Sequence, residues 1–337
     1  MERAQFLPSS MLFVGKPGTG LPNLCMELAG MLLCEEANDG RPCSVCNSCH
    51  IFAHGVHPDL HVISTEEAEE ICDSRFRDHS KRYTNLDYAK KVRKTSLRSI
   101  ITVDQIRAVT DALNNSAGIG STKICLIYPA ETLNLNAANA LLKSLEEPTG
   151  RTYYLLLSSF PGNLPATIRS RCSRINLDNP TNDESIEWLV TMHNVESNCA
   201  QLLTQIGFGP YEVLQMNTNE TVECHQTVIN GLTGLISGSV STRTFTRQSG
   251  SYDIRFTLKV IQSEIYRGLR ESVLPYRETK QPVLISPELA LEFRDVLFSI
   301  YLSIGRFLNW PKKSVDEQLF LEYISQELNL SHYPGQN

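Results

Sequence analysis

No stretch of this sequence approaches the roughly 18 to 20 consecutive apolar residues that cross a bilayer as a helix, so a membrane-spanning protein is not expected. Its start, MERAQFLPSS, lacks the basic, apolar and cleavage regions of a secretory leader, which points to a cytoplasmic protein. Positive charge is also short: 31 Lys and Arg against 37 Asp and Glu leave a net charge of −6. The chain as a whole therefore lacks the electrostatic footprint of a protein that wraps nucleic acid, and any DNA contact would be local or shared with partners. What is present is ordinary globular material, with 337 residues and 41% hydrophobic content, enough for two or three packed domains.

Without a sign of export, ten cysteines argue against a disulfide framework and for metal binding wherever they cluster. They cluster in CEEANDGRPCSVCNSC, where Cys34, Cys43, Cys46 and Cys49 stand as C-x8-C-x2-C-x2-C. Four thiolates fill a tetrahedral Zn²⁺ shell and leave no position for water, so a structural zinc site is expected. CNSCH (46 to 50) also satisfies the haem attachment pattern C-x-x-C-H, but haem would leave Cys34 and Cys43 unexplained. The spacing leaves open that His50, His54 or His57 replaces one thiolate. Cys25, Cys72, Cys125, Cys172, Cys199 and Cys224 are scattered and read as packing residues.

Residues 15 to 23, GKPGTGLPN, carry glycines at phosphate-loop spacing after the apolar run MLFV. The loop pattern needs a lysine for the β- and γ-phosphates and a hydroxyl for Mg²⁺. Leu21 and Pro22 stand there instead, so Gly15, Gly18, Gly20, Leu21 and Pro22 describe either a degenerate phosphate loop or a plain strand-to-helix turn. Lys16 lies at the loop's entry, away from the helix start where dipole and lysine act together.

Strands are expected at MLFV (11 to 14), 60 to 64, 123 to 128, 152 to 159 and 174 to 177. Helical patterns fall between most of them, notably 103 to 115 and 136 to 148, the latter ended by Pro148. Apolar strands alternating with helices imply a parallel sheet covered on both faces. Residues 65 to 100 interrupt the alternation with an acidic start and a basic finish and read as a solvated surface insertion, a DNA-touching basic arm being the alternative. Beyond about 178 the pattern is helical: a small unit opens at 184 to 193 and closes near FGPYEVLQM, and long helices are expected at 251 to 273 and 286 to 308. A division into 1–178, 179–217 and 218–337 follows.

The strand KICLIYPAE occupies the place of an ATPase's second acidic motif, yet ends in Tyr128 and Pro129, so neither carboxylate is there, and Glu131 further along reads as a surface residue. Here the resemblance becomes specific. The cysteine array, HPDL (57 to 60), ITVDQIR (101 to 107), AANALLKSLEEP (137 to 148) and LPATIRSRC (164 to 172) resemble the delta-prime subunits of bacterial DNA polymerase III clamp loaders, members of the AAA+ superfamily. The likeness covers most of 10 to 178. It is weaker beyond, resting on helical layout and NWPKKSVDEQLFLEYI (309 to 324), and it departs in a short N-terminus and a long 65–100.

That resemblance implies an AAA+ α/β domain with a zinc excursion and a degenerate nucleotide site, a helical lid and a helical collar. It implies a subunit that does not hydrolyse ATP, within a hetero-oligomer of clamp-loader ATPase subunits and a delta subunit that acts on a sliding clamp and primed DNA, with no membrane partner. Arg171 of SRC would be an arginine finger on a neighbour's ATP; its competing reading is a structural ion pair, and Arg169 and Arg174 merely flank it. Ser158 falls where active relatives carry a sensor, and Glu212 where a sensor arginine would stand. Two alternatives are kept beside this reading: an active ATPase that uses Lys16, and a zinc-dependent nucleic-acid-binding module built on the cysteines and the basic segment 81 to 98.

Overall fold

A computed structural model describes residues 7–37, 40–84, 98–216, 218–274, 283–308 and 316–329. The chain forms two compact units, Met1–Thr181 and Asn182–Asn337.

In the first unit five strands make one parallel sheet: β1 (Ser10–Val14), β2 (Leu60–Ser64), β3 (Thr122–Tyr128), β4 (Arg151–Ser158) and β5 (Ser173–Asn176), in the order β2-β3-β4-β1-β5. The five expected strands are these, within one or two residues at their ends. β2 and β3 are buried throughout and β4 is buried beyond Arg151, as continuous apolar runs require when helices cover both faces. Side chains alternate between the faces. Met11, Phe13, Leu60, Val62, Ile124, Leu126, Leu155 and Leu157 pack against α1 (Leu21–Leu33) and Phe52 of α2 (Asn47–Ala53). Leu12, Ile63, Cys125, Ile127, Tyr154 and Leu156 pack against α5 (Val103–Asn114), α6 (Leu135–Glu146) and α7 (Ala166–Arg169).

Local signals set the helix ends. Thr102 and Gln105 close a capping box on α5, and Asn134 Oδ1 caps α6 through the Ala137 N–H at 2.8 Å. α6 stops at Glu146 because Glu147 precedes a proline and is forced out of the helical region, to φ −128°.

The surface-insertion reading of 65 to 100 is corrected for its first half. α3 (Glu66–Ile71) and α4 (Ser74–Thr84) pack on the sheet: Phe76 is 1% exposed, His79 1% and Tyr83 3%. Three aromatic side chains spaced along an otherwise charged helix supply an apolar stripe that the overall charge of the segment hides. Residues 85–97, with most of the basic run, and 309–315 lie outside the described residues.

The second unit is helical, from α8 (Asn182–His193), α9 (Ser197–Ile206) and α10 (Pro210–Val213) through α11 (Thr218–Ile236), α12 (Thr242–Ser249), α13 (Ile254–Val273), α14 (Pro287–Glu292), α15 (Arg294–Leu308) and α16 (Glu317–Glu327). One hydrophobic cluster runs through it from Leu189 to Leu328. The helix expected at 286 to 308 is two helices, broken at Phe293, with Ser286 capping the first through the Leu289 N–H. Among the described residues no helix is long and apolar enough to cross a membrane.

Candidate functional site

β1 ends between β4 and β5, its Val14 opposite Ser158 on one side and Asn176 on the other. Ligands of open α/β sheets bind at the carboxyl ends of strands where the strand order reverses, and residues 15 to 20 lie there. The loop is tied to its own surroundings. Gly15 N–H donates to the Ser158 carbonyl at 3.3 Å, Lys16 N–H to Asn179 Oδ1 at 3.3 Å, and Thr19 Oγ1 to the Lys16 carbonyl at 2.8 Å. Gly20, the N-cap of α1, has φ 85°, a left-handed conformation that a side chain would strain.

Leu21, where the phosphate-binding lysine would start the helix, is 3% exposed and packs in the sheet's core with Cys25 and Met26. Pro22 brings no N–H to the first turn. Lys16 is exposed at the loop's entry. Across the crevice, Tyr128 is buried edge-on against Phe76, ring centroids 6.1 Å apart.

Glu131 corrects the expectation of a surface residue. The turn Ala130–Thr132 follows β3 directly and brings its carboxylate back over the end of β4, where Ser159 N–H donates to Oε1 at 3.2 Å. Its Oε2 and the Ser158 hydroxyl are buried without a hydrogen-bond partner among the described residues.

Arg171 follows α7 and is anchored from both sides: Ile168 is fully buried, Cys172 is 8% exposed, and both pack with Leu145 of α6. The guanidinium meets Glu146, with Nε donating to Oε1 at 2.6 Å and a terminal nitrogen 2.5 Å from the same oxygen, while the other terminal nitrogen donates to the Thr167 carbonyl at 3.0 Å. The ion pair weighed against the finger is thus present. Both partners are partly exposed, 31% and 49%, so it contributes ~1 kcal/mol or less to folding. Glu146 was not singled out from sequence; it lies 25 residues before Arg171, and only the packing of α6 on α7 joins them. Arg169 is exposed, and Arg174 donates to Asn176 Oδ1 at 2.8 Å.

Glu212, in the helical unit, is engaged where it stands. Its Oε2 accepts from the Gly209 N–H at 2.8 Å, satisfying a donor at the start of α10, and faces Lys259 Nζ at 3.5 Å. Lys259 in turn lies 3.6 Å over the Phe208 ring, and burial pushes its pKa down.

The four cysteines converge: their sulfurs all lie within 4.8 Å of one another. Cys34 Sγ to Cys46 Sγ and Cys43 Sγ to Cys49 Sγ are both 3.9 Å, far beyond a disulfide and close to the ~3.8 Å edge of a tetrahedron with 2.3 Å metal–sulfur bonds. Backbone N–H groups aim at the sulfurs, Cys43 N at Cys34 Sγ (3.2 Å) and Cys46 N at Cys43 Sγ (3.3 Å), as thiolates require. The N–H groups of Val45 and Cys46 bring the Cys43 thiol down to about 7, whereas burial pushes Cys49 up to about 12. A dication at the centre would offset the crowding of the thiolates, so the set fits a metal ion.

No histidine joins the cluster among the described residues. His57 is fully buried elsewhere: Nδ1 accepts from the Asp59 N–H (3.2 Å), which leaves Nε2 to donate to Ser48 Oγ (3.0 Å), and Ser48 donates to the Leu33 carbonyl (2.7 Å). Asp59 receives the N–H groups of Gly118 and Ile119 at 2.6 and 2.7 Å. The HPDL motif therefore ties the cysteine excursion, β2 and the approach to β3 together. The six scattered cysteines are all buried, as expected of packing residues.

The family model described as "DNA polymerase III, delta subunit" matches residues 2–181. DNA polymerase III subunit delta' of Pseudomonas aeruginosa is 33% identical over 241 residues, 71% of this chain and 64% of the relative. The Escherichia coli protein of the same name is 30% identical over 180 residues, 53% of this chain and 45% of the relative. The chain thus matches between about half and just under two thirds of these relatives' lengths. Among solved structures, a DNA polymerase III gamma subunit-related protein from Thermotoga maritima is 16% identical, with 97% of this chain and 96% of that chain covered and a TM-score of 0.42.

Proposed function

The chain belongs to the family described as "DNA polymerase III, delta subunit", and on that premise we propose that it is a non-hydrolysing, delta-prime-type subunit of a clamp loader, working in the cytoplasm. Its α/β unit is of the AAA+ type, and residues 179–217 and 218–337 serve as lid and collar. Its partners are ATPase subunits and a delta subunit, and through them a sliding clamp on primed DNA.

The observation that carries this reading is the crevice at the carboxyl end of β1. Leu21 is buried where a lysine would meet phosphate, and Tyr128 is buried where a carboxylate would support Mg²⁺. A nucleotide would meet an apolar wall, with neither the lysine nor the metal-supporting carboxylate in its usual place. The loop keeps its glycines because a chain leaving a central strand must still turn sharply into α1.

Arg171 acts outward. The guanidinium, permanently charged and planar, forks onto the transferring γ-phosphoryl of an ATP held by the adjacent subunit and offsets the charge that develops there. Such trans-acting arginines are worth roughly 10³ to 10⁵ in rate. Cys34, Cys43, Cys46 and Cys49 hold zinc, whose closed sulfur shell fixes the excursion and leaves no place for catalysis.

Titration calorimetry of the isolated chain with Mg-ATP tests the first half of this reading. No saturable heat is expected up to millimolar nucleotide. Saturable binding lost in Lys16→Ala would establish an active loop of unusual form instead.

A further inference from the structure

We propose that Glu146 is a positioning residue for Arg171, gripping the inner edge of the guanidinium so that its outer edge is presented to the neighbouring subunit's phosphate. This rests on the arginine-finger reading above.

An arginine carries five N–H donors. Two are hydrogen-bonded here, Nε to Glu146 Oε1 and one terminal nitrogen to the Thr167 carbonyl, while the other terminal nitrogen lies in ion-pair contact with the same Oε1. Three N–H donors remain, at least one on each terminal nitrogen, enough for a bidentate approach to two oxygens of a phosphate. An unrestrained arginine side chain would lose its rotamer freedom only on meeting the phosphate; one already held loses less, which is how preorganisation raises a rate.

Both holds are themselves rigid. Glu146 is the last residue of α6, fixed by the buried Leu141 and Leu145. Thr167 belongs to α7, fixed by Ile168 in the same cluster. The two helix ends therefore set the guanidinium plane as well as its place. A carboxylate so near could alternatively compete with the phosphate and restrain the arginine as a latch. The hydrogen bonding argues against that: Glu146 accepts from Nε alone, and both terminal nitrogens keep N–H donors for a phosphate.

The test is a double-mutant cycle in the complex rebuilt from this chain and its partner subunits, with assembly verified by size-exclusion chromatography. DNA- and clamp-stimulated ATP hydrolysis is compared for wild type, Glu146→Ala, Glu146→Gln, Arg171→Ala and the Glu146→Ala/Arg171→Ala double variant. Glu146→Ala is expected to lower kcat about 10- to 100-fold with KM for ATP unchanged, since a group misplaced by an ångström costs that much. Glu146→Gln, which keeps an oxygen acceptor, should recover part of the rate, and the double variant should be no slower than Arg171→Ala. A Glu146→Ala complex at or above the wild-type rate overturns the proposal, the latter outcome assigning a latch. A double variant slower than Arg171→Ala also overturns it, since Glu146 would then act independently of the arginine. Wild-type rate in Arg171→Ala would instead remove the finger reading beneath it.

Discussion

Leu21, Tyr128 and Glu131 divide what a sequence can reveal from what it cannot. The missing lysine and carboxylates were legible as substitutions at fixed spacing, because a phosphate loop is defined by residue type at each place. The return of Glu131 was not, since a carboxylate three residues past a strand carries no sign of which way the turn will send it. Glu212 is a similar case: its partner Lys259 lies on another helix. Buried histidines give this region a pH dependence. Burial lowers His57 and His61 to about 4, and Arg82, itself bonded to the Pro58 and His57 carbonyls, adds to the shift. Asp59, which faces both rings, opposes it. A folded-state pKa below the unfolded value of about 6.5 means that the unfolded chain binds more protons between pH 6.5 and 4. Stability should therefore be level above 6.5 and fall as the pH drops toward 4. His61, paired with the Tyr83 hydroxyl, contributes on the order of 2 kcal/mol. Urea midpoints measured at pH 7.5 and 5.5 should show the fall, with a smaller one in His61→Gln; an equal fall in that variant would mean that other groups carry the dependence.

The first four strands were readable because apolar runs of five to eight residues bounded by turns have few other uses in a chain of this length, whereas β5 is only four residues long and largely exposed. α4 was not, because its charged residues outnumber the aromatic ones that bury it, and the break at Phe293 leaves no proline or glycine to mark it. The cysteine excursion was the clearest element of all, its spacing alone implying the cluster that the fold assembles from the end of α1, the loop beyond it and the start of α2. Purified protein is expected to carry one zinc per chain by atomic absorption, and Cys46→Ser to lose it. Because His57 and Ser48 join α2 to β2, removal of the metal should also lower the thermal midpoint of the α/β unit by several degrees. A metal-free chain with an unchanged melting temperature would make the cluster dispensable to the fold.

For the chain as a whole, each of the two units has its own core, one layered around a parallel sheet and the other a helical cluster. A net charge of −6 suits a protein that reaches DNA through an assembly better than one that binds it alone. The central claim is that this subunit has given up its own nucleotide chemistry and supplies one side chain to a neighbour's. The most direct test is the DNA- and clamp-stimulated ATPase rate of the rebuilt complex, wild type against Arg171→Ala. The account predicts a fall of about 10³-fold or more with assembly intact and the melting temperature of the chain little changed. An unchanged rate in a fully assembled complex would contradict it.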